Sequence, residues 1–73
     1  MHVFITGIAG FLGANLADYY VAKGFQVSGC DNLVGGTLDN IDNKKVKFFK
    51  ANCENLEEMK PIMKNIDVVI HAA

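Results

Sequence analysis

Apolar residues fall into four short, nearly continuous runs along the chain, and the segments between them are more polar. Short apolar runs are typical of strands that are covered on both faces, and parallel sheets are built from such strands. Strands are therefore predicted at residues 2–6, 25–30, 46–50 and 67–71. Helical periodicity between these strands indicates an α/β fold.

The first predicted helix covers Phe11–Lys23. Leu12, Leu16 and Tyr19 recur at helical spacing, which places them on one face of this helix. Gly24 follows the last helical residue and is expected to end the helix in the left-handed conformation that glycine adopts most easily.

The second predicted helix covers Leu56–Lys64. Asn55 is the expected N-terminal cap, and Glu58 follows it at the spacing of a capping box. Pro61 removes one backbone donor. We therefore expect a kink, or a first turn that ends before Lys60 and a second turn that the proline begins.

Right-handed crossovers between the strands predict the strand order 3-2-1-4, with helices on both faces of the sheet. Residues 31–43, rich in Asn, Asp and Gly, are predicted as a loop with one short helical turn around Thr37–Asn40. Ligands of such folds bind beyond the carboxyl ends of the strands. A crevice is therefore expected at the ends of the first and fourth strands.

Three glycines, Gly7, Gly10 and Gly13, separate the first strand from the first helix at three-residue spacing. The first permits a tight turn, the second lets a pyrophosphate approach the backbone, and the third lets the helix pack closely on the sheet. The N–H groups at the start of the helix would then face the phosphates. The alternative is a glycine-rich turn that binds nothing, but the strand, turn and helix in this order favour a dinucleotide site.

An acidic residue, Asp31, follows the second predicted strand at about the distance from the glycines that dinucleotide-binding folds use. Its carboxylate is expected to accept hydrogen bonds from the adenosine ribose and to repel the 2′-phosphate of NADP. An arginine commonly binds that phosphate, and the sequence contains none. Lys44 or Lys45 is the alternative cation, although neither is adjacent to Asp31. We therefore predict NAD as the cofactor.

The chain has 73 residues, of which 51% are hydrophobic and 21% charged, with a net charge of −1. This composition is typical of a globular protein and excludes a disordered one. The lysines between residues 44 and 50 are interpreted as a solvated surface, so no nucleic-acid partner is predicted. No apolar run is long enough to span a bilayer and no secretory leader is recognisable, so a cytoplasmic protein is expected.

Cys30 and Cys53 are interpreted as reduced thiols, with a regulatory disulfide between neighbouring strands as the alternative. His2 and His71 lack a third ligand at suitable spacing, so no metal site is predicted. His71 is interpreted as a strand residue that backbone hydrogen bonds satisfy, and the alternative is a general base.

Three motifs resemble those of the extended short-chain dehydrogenase/reductases, specifically the NAD-dependent epimerase/dehydratase group that acts on nucleotide sugars. They are Thr6-Gly7-x-x-Gly10-Phe11-Leu12-Gly13, Asp31-Asn32-Leu33 and Asp67-Val68-Val69-Ile70-His71-Ala72-Ala73. The resemblance implies NAD as the cofactor. It also implies a Rossmann-type parallel sheet, of which residues 1–73 supply the first β-α-β-β-α-β portion.

The resemblance further implies cofactor contacts in the segments that follow the strands. The implied residues are Gly7, Gly10, Phe11, Leu12, Gly13, Asp31, Asn32, Asn52, Cys53, Ala72 and Ala73. Asn52 and Cys53 depart from the family pattern, which often has an aspartate and an apolar residue beside adenine, although an amide oxygen can still accept from the adenine amino group. Simpler roles stay open: Phe11 and Leu12 could pack the helix on the sheet, and Asn32 and Asn52 could shape turns.

Enzymes of this family use a tyrosine as acid/base and a lysine four positions later that lowers the pKa of the tyrosine, with a serine or threonine beside them. Tyr19 and Lys23 have this spacing. They lie on the first predicted helix and away from the nicotinamide end, so we reject them as catalytic. No catalytic residue is assigned within the chain, and residues 1–73 alone are expected to be inactive.

The resemblance implies that residues 1–73 are the N-terminal part of the NAD-binding domain of a nucleotide-sugar epimerase or dehydratase, which transfers a hydride transiently at a sugar carbon. The lack of a closing segment after the fourth strand supports a longer protein, because that strand would otherwise expose apolar surface. The intact protein is compatible with a homodimer. The alternatives are a non-catalytic NAD-binding or redox-sensing module, and a reductase or steroid-dehydrogenase relative, against which the Asp31-Asn32-Leu33 motif argues.

Overall fold

The structure of the chain is a computed structural model, and it describes residues 1–41 and 45–72. Its strands are β1 (His2–Thr6), β2 (Gln26–Asp31), β3 (Val46–Lys50) and β4 (Val68–His71). Its helices are α1 (Phe11–Ala22) and α2 (Leu56–Met59), and short 3₁₀ turns cover Leu38–Asn40 and Lys60–Ile62. Two residues named above, Lys44 as an alternative cation and Ala73 as a cofactor contact, lie outside the described residues.

The sheet has the order β3-β2-β1-β4 with every pair parallel, which confirms the predicted strand order. In the central strand β1, Thr6 pairs with Cys30 of β2 on one side and with His71 of β4 on the other. Because the strands run in one direction, the segments that follow them meet at one edge of the sheet. That edge carries the candidate binding residues.

The central strand contributes to two separate cores because successive side chains of a strand point to opposite faces. Val3 and Ile5 pack with Ala17 of α1 on one face. Phe4 packs with Met59 of α2 on the other face. Helices on both faces of the sheet, as predicted, are therefore confirmed for the described residues.

The C-terminal end of α1 lies one residue earlier than predicted and has the hydrogen bonds of a Schellman motif. The Gly24 N–H donates to the Val21 carbonyl at 3.0 Å, and the Phe25 N–H donates to the Tyr20 carbonyl at 3.1 Å. Gly24 has a φ of +84°, as expected, and the Phe25 ring stacks on the Tyr20 ring at 5.9 Å between centroids. Since Phe25 completes this cap, β2 begins at Gln26 and not at residue 25.

The second helix is shorter than predicted, and the expected break at the proline is confirmed. α2 ends at Met59, and Pro61 lies near the start of the 3₁₀ turn that follows, because proline has no N–H with which to continue the helix. The Asn55 side chain caps α2 by accepting the Glu58 N–H at 3.3 Å, as predicted. The predicted capping box is incomplete, because its second bond, from the Asn55 N–H to the Glu58 side chain, does not form. Glu58 Oε1 accepts from the Asn52 N–H at 3.3 Å instead.

β4 is an edge strand of the described sheet. Val68 and Val69 are 38% and 50% exposed, which is the exposed apolar surface expected for this strand in residues 1–73 alone. The strand begins one residue later than predicted. Asp67 precedes it, and the Asp67 carboxylate accepts the His2 N–H at 2.7 Å at the start of β1.

Gly13 allows α1 to lie against the turn that follows β1, and its substitution is expected to destabilise the chain. A Cβ at Gly13 would overlap the Gly7 carbonyl oxygen and lie 2.8 Å from the Ile8 Cα. Alanine gains about 1 kcal/mol over glycine in a helix, but a clash with backbone atoms outweighs this gain. We expect Gly13→Ala to lower the free energy of unfolding by about 2 kcal/mol in a urea titration followed by circular dichroism.

Gly35→Ala is the matched control because a Cβ at that position meets no atom within 4 Å. Its free energy of unfolding should stay the same or rise slightly, since alanine reduces the conformational freedom of the unfolded chain. A Gly13→Ala chain as stable as the unsubstituted one would show that the close approach of α1 is not a constraint on the fold.

Candidate dinucleotide site

The turn after β1 is closed by main-chain hydrogen bonds and depends on a glycine. Gly7 has a φ of +72°, a conformation that costs a residue with a side chain about 1–2 kcal/mol. The N–H groups of Gly7 and Ile8 both donate to the Cys30 carbonyl, at 2.8 and 3.2 Å, and the Gly10 N–H donates to the Gly7 carbonyl at 3.0 Å. The turn is therefore fixed to the end of β2 without help from any side chain of its own.

The N-terminal end of α1 is suited to bind an anion. Gly10 is the N-cap and provides no side-chain cap, and the first turn contains no acidic residue. The N–H groups at the start of a helix have no partner within it, and the helix dipole is positive at this end. The side chains of Phe11 and Leu12 are 85% and 59% exposed, so packing of α1 on the sheet does not account for these two residues.

The Asp31 carboxylate is buried and joins two segments of the site. Its Oδ2 accepts the Ala9 N–H of the glycine turn at 3.0 Å, and its Oδ1 accepts the Leu33 N–H of the following loop at 2.8 Å. β2 extends to Asp31, one residue further than predicted, which places this carboxylate at the strand end. Each carboxylate oxygen can accept more than one hydrogen bond, so the side chain retains capacity for a ligand hydroxyl.

A pocket with about 220 Å³ of empty volume lies at this edge of the sheet. Its lining residues are Gly7, Cys30, Asp31, Asn32, Ala51 and Cys53. All of them except Cys30 and Ala51 were predicted to contact a cofactor. Those two lie at the end of β2 and directly after β3, and their position at the ends of parallel strands is the signal that could have identified them.

The other predicted contacts within the described residues lie outside the pocket wall. Residues 10–13 form the turn and the start of α1, Asn52 is exposed, and Ala72 follows β4. The Asn52 side-chain oxygen accepts the Glu54 N–H at 2.9 Å, and the Asn32 side-chain oxygen accepts the Val34 N–H at 3.0 Å. Both asparagines therefore shape their own turns, which was the simpler of the two roles considered for them.

The loop after β2 lies directly on the glycine turn. The sequence analysis did not predict this contact. The Ala9 carbonyl accepts the Thr37 N–H at 3.1 Å and the Asn40 side-chain N–H at 2.5 Å. A Cβ at Gly36 would lie 2.6 Å from the Ala9 carbonyl carbon, so only glycine allows this approach. The abundance of Asn and Gly in the loop indicated turns but not what they contact.

Thr6 connects the end of β1 to the end of β4. Its Oγ1 lies 2.7 Å from His71 Nδ1 and accepts the Ala72 N–H at 3.2 Å. His71 is a residue of β4, as predicted, but the partner of its ring is a side chain and not the expected backbone group. These bonds hold Ala72 beside the residue that precedes the glycine turn.

The geometry of Tyr19 and Lys23 supports their rejection as a catalytic pair. The Lys23 Nζ lies 5.0 Å from the centroid of the Tyr19 ring, over its face and not beside the phenol oxygen. Tyr19 is also about 12 Å along α1 from Phe11, given a rise of about 1.5 Å per residue. Neither side chain lines the pocket.

The pKa of the Cys30 thiol is raised from 9.0 to about 11, mainly because burial disfavours the charged thiolate. Negative charges on Cys53 and Asp31 contribute to this rise by repelling a thiolate, while the Gly7 N–H has the opposite effect. The Cys30 thiol lies 3.8 Å from the Met59 sulfur in the core. Cys30 is therefore an uncharged core residue at neutral pH.

The residues present fit a dinucleotide such as NAD. The uncapped start of α1 offers backbone donors to a diphosphate, and the pocket beside it presents a buried carboxylate whose remaining acceptor capacity suits ribose hydroxyls.

Within residues 1–41 and 45–72, no group of three His, Cys, Asp or Glu side chains could hold a metal ion. In the same residues, no helix is long and apolar enough to cross a membrane.

A protein-family model for the NAD dependent epimerase/dehydratase family matches residues 3–73. The UDP-glucose 4-epimerase of Mycolicibacterium smegmatis is 34% identical over 83 aligned positions, which cover 100% of this chain and 25% of that protein. The crystal structure of the Thermotoga maritima UDP-glucose 4-epimerase with UDP-glucose has a TM-score of 0.93 and 32% identity, and the match covers 100% of this chain and 24% of the other.

The Thermus thermophilus UDP-glucose 4-epimerase in complex with NAD has a TM-score of 0.90 and 32% identity, with the match again covering 100% of this chain and 24% of the other. The chain therefore spans about a quarter of the length of the relatives it matches. These matches confirm the Rossmann-type fold and NAD as the cofactor.

The raised pKa of Cys30 predicts a loss of stability at alkaline pH. In the unfolded chain the thiol ionises near pH 9.0, whereas in the folded chain it keeps its proton until about pH 11. The unfolded state alone loses a proton over this range, so the free energy of unfolding should fall between these two pH values.

Cys30→Ala removes the ionisable thiol and leaves every other side chain of the protein unchanged. The free energy of unfolding of the unsubstituted chain minus that of Cys30→Ala should therefore fall as the pH rises. Both are measured by urea titration at steps from pH 8 to 11. A difference that stays constant over this range would show that the thiol does not titrate differently in the folded state.

Proposed function

The chain belongs to the NAD-dependent epimerase/dehydratase family, and on that premise we propose that it is the NAD-binding part of a nucleotide-sugar epimerase or dehydratase. The observation that carries the proposal is the pocket that Asp31 and Gly7 of the glycine turn line together, with the Asp31 carboxylate bonded to the Ala9 N–H of the same turn. The Asp31-Asn32-Leu33 run favours a nucleotide-sugar enzyme over a reductase or steroid dehydrogenase.

The pyrophosphate of NAD would bind at the glycine turn. Gly7 and Gly10 would let it approach the backbone, and the first N–H groups of α1, including those of Phe11 and Leu12, would donate to it. The absence of an acidic residue from the first turn of α1 supports this role, because a carboxylate there would repel the phosphates. Gly13 contributes indirectly by keeping α1 close to the turn.

The adenosine end of NAD would lie in the pocket. Asp31 would accept hydrogen bonds from the ribose hydroxyls, with Asn32 beside the same nucleoside. Cys53 would border the adenine, and Asn52 would stand next to it in the turn after β3. The position of Asp31, Asn32 and Cys53 in one pocket wall supports this arrangement.

The segment after β4 would border the nicotinamide half of the cofactor. Ala72 and Ala73 are the residues concerned, and Ala73 lies outside the described residues. The hydrogen bonds from Thr6 to His71 and Ala72 support the proposal, because they keep this segment next to the end of β1.

Bound NAD supplies a reversible acceptor for a hydride from a sugar carbon. The residues of this chain bind and orient the cofactor for that chemistry, and we assign none of them to proton transfer. Tyr19 and Lys23 are excluded because the ammonium lies over the ring face and α1 carries the pair away from the pocket. The acid/base group of the enzyme would lie in a further part of the protein.

We also propose that residues 1–73 form the N-terminal part of a longer NAD-binding domain in a cytoplasmic enzyme that takes a nucleotide sugar as substrate. The matched relatives support this, since the chain spans about a quarter of their length. Those relatives are UDP-glucose 4-epimerases, so a UDP-sugar is the first substrate to test.

Asp31→Asn is expected to change the cofactor preference of the full-length gene product. The substitution removes a charged acceptor of the ribose hydroxyls, and hydrogen bonds to charged groups contribute about 1.5–3 kcal/mol, so the Kd for NAD should rise about tenfold or more. It also removes a charge that repels a 2′-phosphate, so the Kd for NADP should rise less. Fluorescence titrations with both cofactors give the ratio of the two Kd values.

Asp39→Asn is the control for this prediction, because Asp39 is an exposed acid in the 3₁₀ turn outside the pocket. The ratio of the Kd values for NAD and NADP should be the same in Asp39→Asn as in the unsubstituted protein. Since a partial loss of folded protein affects both cofactors alike, an unchanged ratio in Asp31→Asn would mean that the carboxylate does not determine the preference.

The full-length gene product is expected to interconvert UDP-glucose and UDP-galactose, or to dehydrate a nucleotide sugar, whereas residues 1–73 alone should convert neither. Chromatography of the sugar nucleotides after incubation measures both reactions. The Tyr19→Phe variant of the full-length product should remain active. NAD binding without turnover of any nucleotide sugar would favour a non-catalytic module, and turnover by residues 1–73 alone would contradict the exclusion of catalytic residues from this chain.

A further inference from the structure

The main-chain groups of Ala9, in the middle of the glycine turn, are held from two sides. The Ala9 N–H donates to the Asp31 carboxylate at 3.0 Å. The Ala9 carbonyl accepts the Thr37 N–H at 3.1 Å and the Asn40 side-chain N–H at 2.5 Å. A carbonyl oxygen has two lone pairs, so these two donors occupy both of its acceptor positions. The two peptide units that meet at the fully buried Ala9 are therefore each bonded to another segment of the chain.

The second of these peptide units leads directly into α1. Its carbonyl belongs to Ala9 and its N–H to Gly10, the N-cap, and this N–H donates to the Gly7 carbonyl at 3.0 Å. The Asn40 amide, the peptide unit and the Gly7 carbonyl thus form one chain of hydrogen bonds, in which each bond polarises the next. The next N–H groups along the backbone are the first of α1. Their direction therefore depends on how this peptide unit is held.

The Asn40 amide is the donor to the Ala9 carbonyl that depends on residue type. Thr37 donates through its main-chain N–H, which every residue except proline provides. Asn40 is itself fixed, because its main-chain N–H donates to the Thr37 carbonyl at 3.2 Å and the following residue, Ile41, is buried in the core on the α1 face. The side chain is thus in place before a ligand binds, so its ordering costs the binding step little.

We propose that Asn40 is a positioning residue for the pyrophosphate of NAD, which it does not touch. Its amide holds the Ala9 carbonyl and so keeps the first N–H groups of α1 directed at the phosphates. The inference rests on the proposed function, because it requires the pyrophosphate at the glycine turn. The Asp31 carboxylate is also held by the Leu33 N–H at 2.8 Å, so the adenosine end of the cofactor should not depend on Asn40.

Two ligands separate the pyrophosphate from the adenosine in the full-length gene product. ADP-ribose contains both groups, whereas adenosine lacks the pyrophosphate. Asn40→Ala removes the side-chain donor, and it should raise the Kd for ADP-ribose about two- to tenfold, which is the effect of one hydrogen bond. The Kd for adenosine should stay unchanged. Isothermal titration calorimetry measures both Kd values, and circular dichroism checks the fold of each variant.

Asn15→Ala is the matched control. The Asn15 side-chain N–H also donates to a main-chain carbonyl, that of Phe11 at 2.9 Å, but this bond lies within α1. Neither Kd should change in this variant, because the bonds of the Ala9 carbonyl remain.

Asn40→Asp separates the donor from the volume of the side chain. Aspartate has nearly the same shape as asparagine, but its ionised carboxylate cannot donate. The titrations are repeated at about 0.5 M salt, where repulsion between exposed charges is largely screened. Asn40→Asp should weaken ADP-ribose binding at least as much as Asn40→Ala does. A side chain that only fills space would instead leave Asn40→Asp equal to the unsubstituted protein, and this result would overturn the proposal.

The remaining outcomes distinguish the proposal from the proposed function. An unchanged Kd for ADP-ribose in Asn40→Ala would overturn the role of Asn40 alone. The same holds for a Kd that rises equally for both ligands, because a general loss of structure affects both alike. An unsubstituted protein that binds neither ADP-ribose nor adenosine would contradict the proposed function and, with it, the role of Asn40.

Discussion

Two hydrogen bonds to one buried carboxylate organise this edge of the sheet. Asp31 accepts the Ala9 N–H from the glycine turn and the Leu33 N–H from the loop after β2, at 3.0 and 2.8 Å. The cost of removing the charge from water is offset by charge-assisted bonds to backbone donors. A single side chain therefore fixes the turn that would receive the pyrophosphate and the loop that would border the adenosine, while it keeps acceptor capacity for the ribose.

Further hydrogen bonds from main-chain and side-chain groups connect the neighbouring segments of the site to the turn that Asp31 holds. The Ala9 carbonyl accepts from Thr37 and from the Asn40 side chain, so the loop after β2 closes over the turn that Asp31 holds from the other side. Thr6, one residue before the turn, accepts from Ala72 and bonds to the His71 ring. The strand ends of β1, β2 and β4 are thus connected by side chains that also lie beside the proposed cofactor path.

Much of the fold was predictable because apolar runs and turn residues determine it locally. β1 and β3 match their predicted bounds, and the strand order follows from parallel strands with right-handed crossovers. The structure differs from the prediction where a specific non-local or side-chain contact determines the local conformation. Phe25 completes the cap of α1 instead of starting β2, and Glu58 bonds to Asn52 instead of completing a capping box. The contacts of Asn40 with the glycine turn depend on the path of a loop without periodicity, which no pattern in the sequence specifies.

We propose that the Asp31 carboxylate binds the adenosine ribose of NAD and that the glycine turn binds its pyrophosphate. A crystal structure of the full-length gene product with NAD tests it most directly. The account predicts the adenosine ribose hydroxyls within hydrogen-bonding distance of the Asp31 carboxylate and the pyrophosphate against the backbone from Gly7 to Leu12. An adenosine ribose bound away from Asp31, or a pyrophosphate that does not touch the turn, would contradict the account.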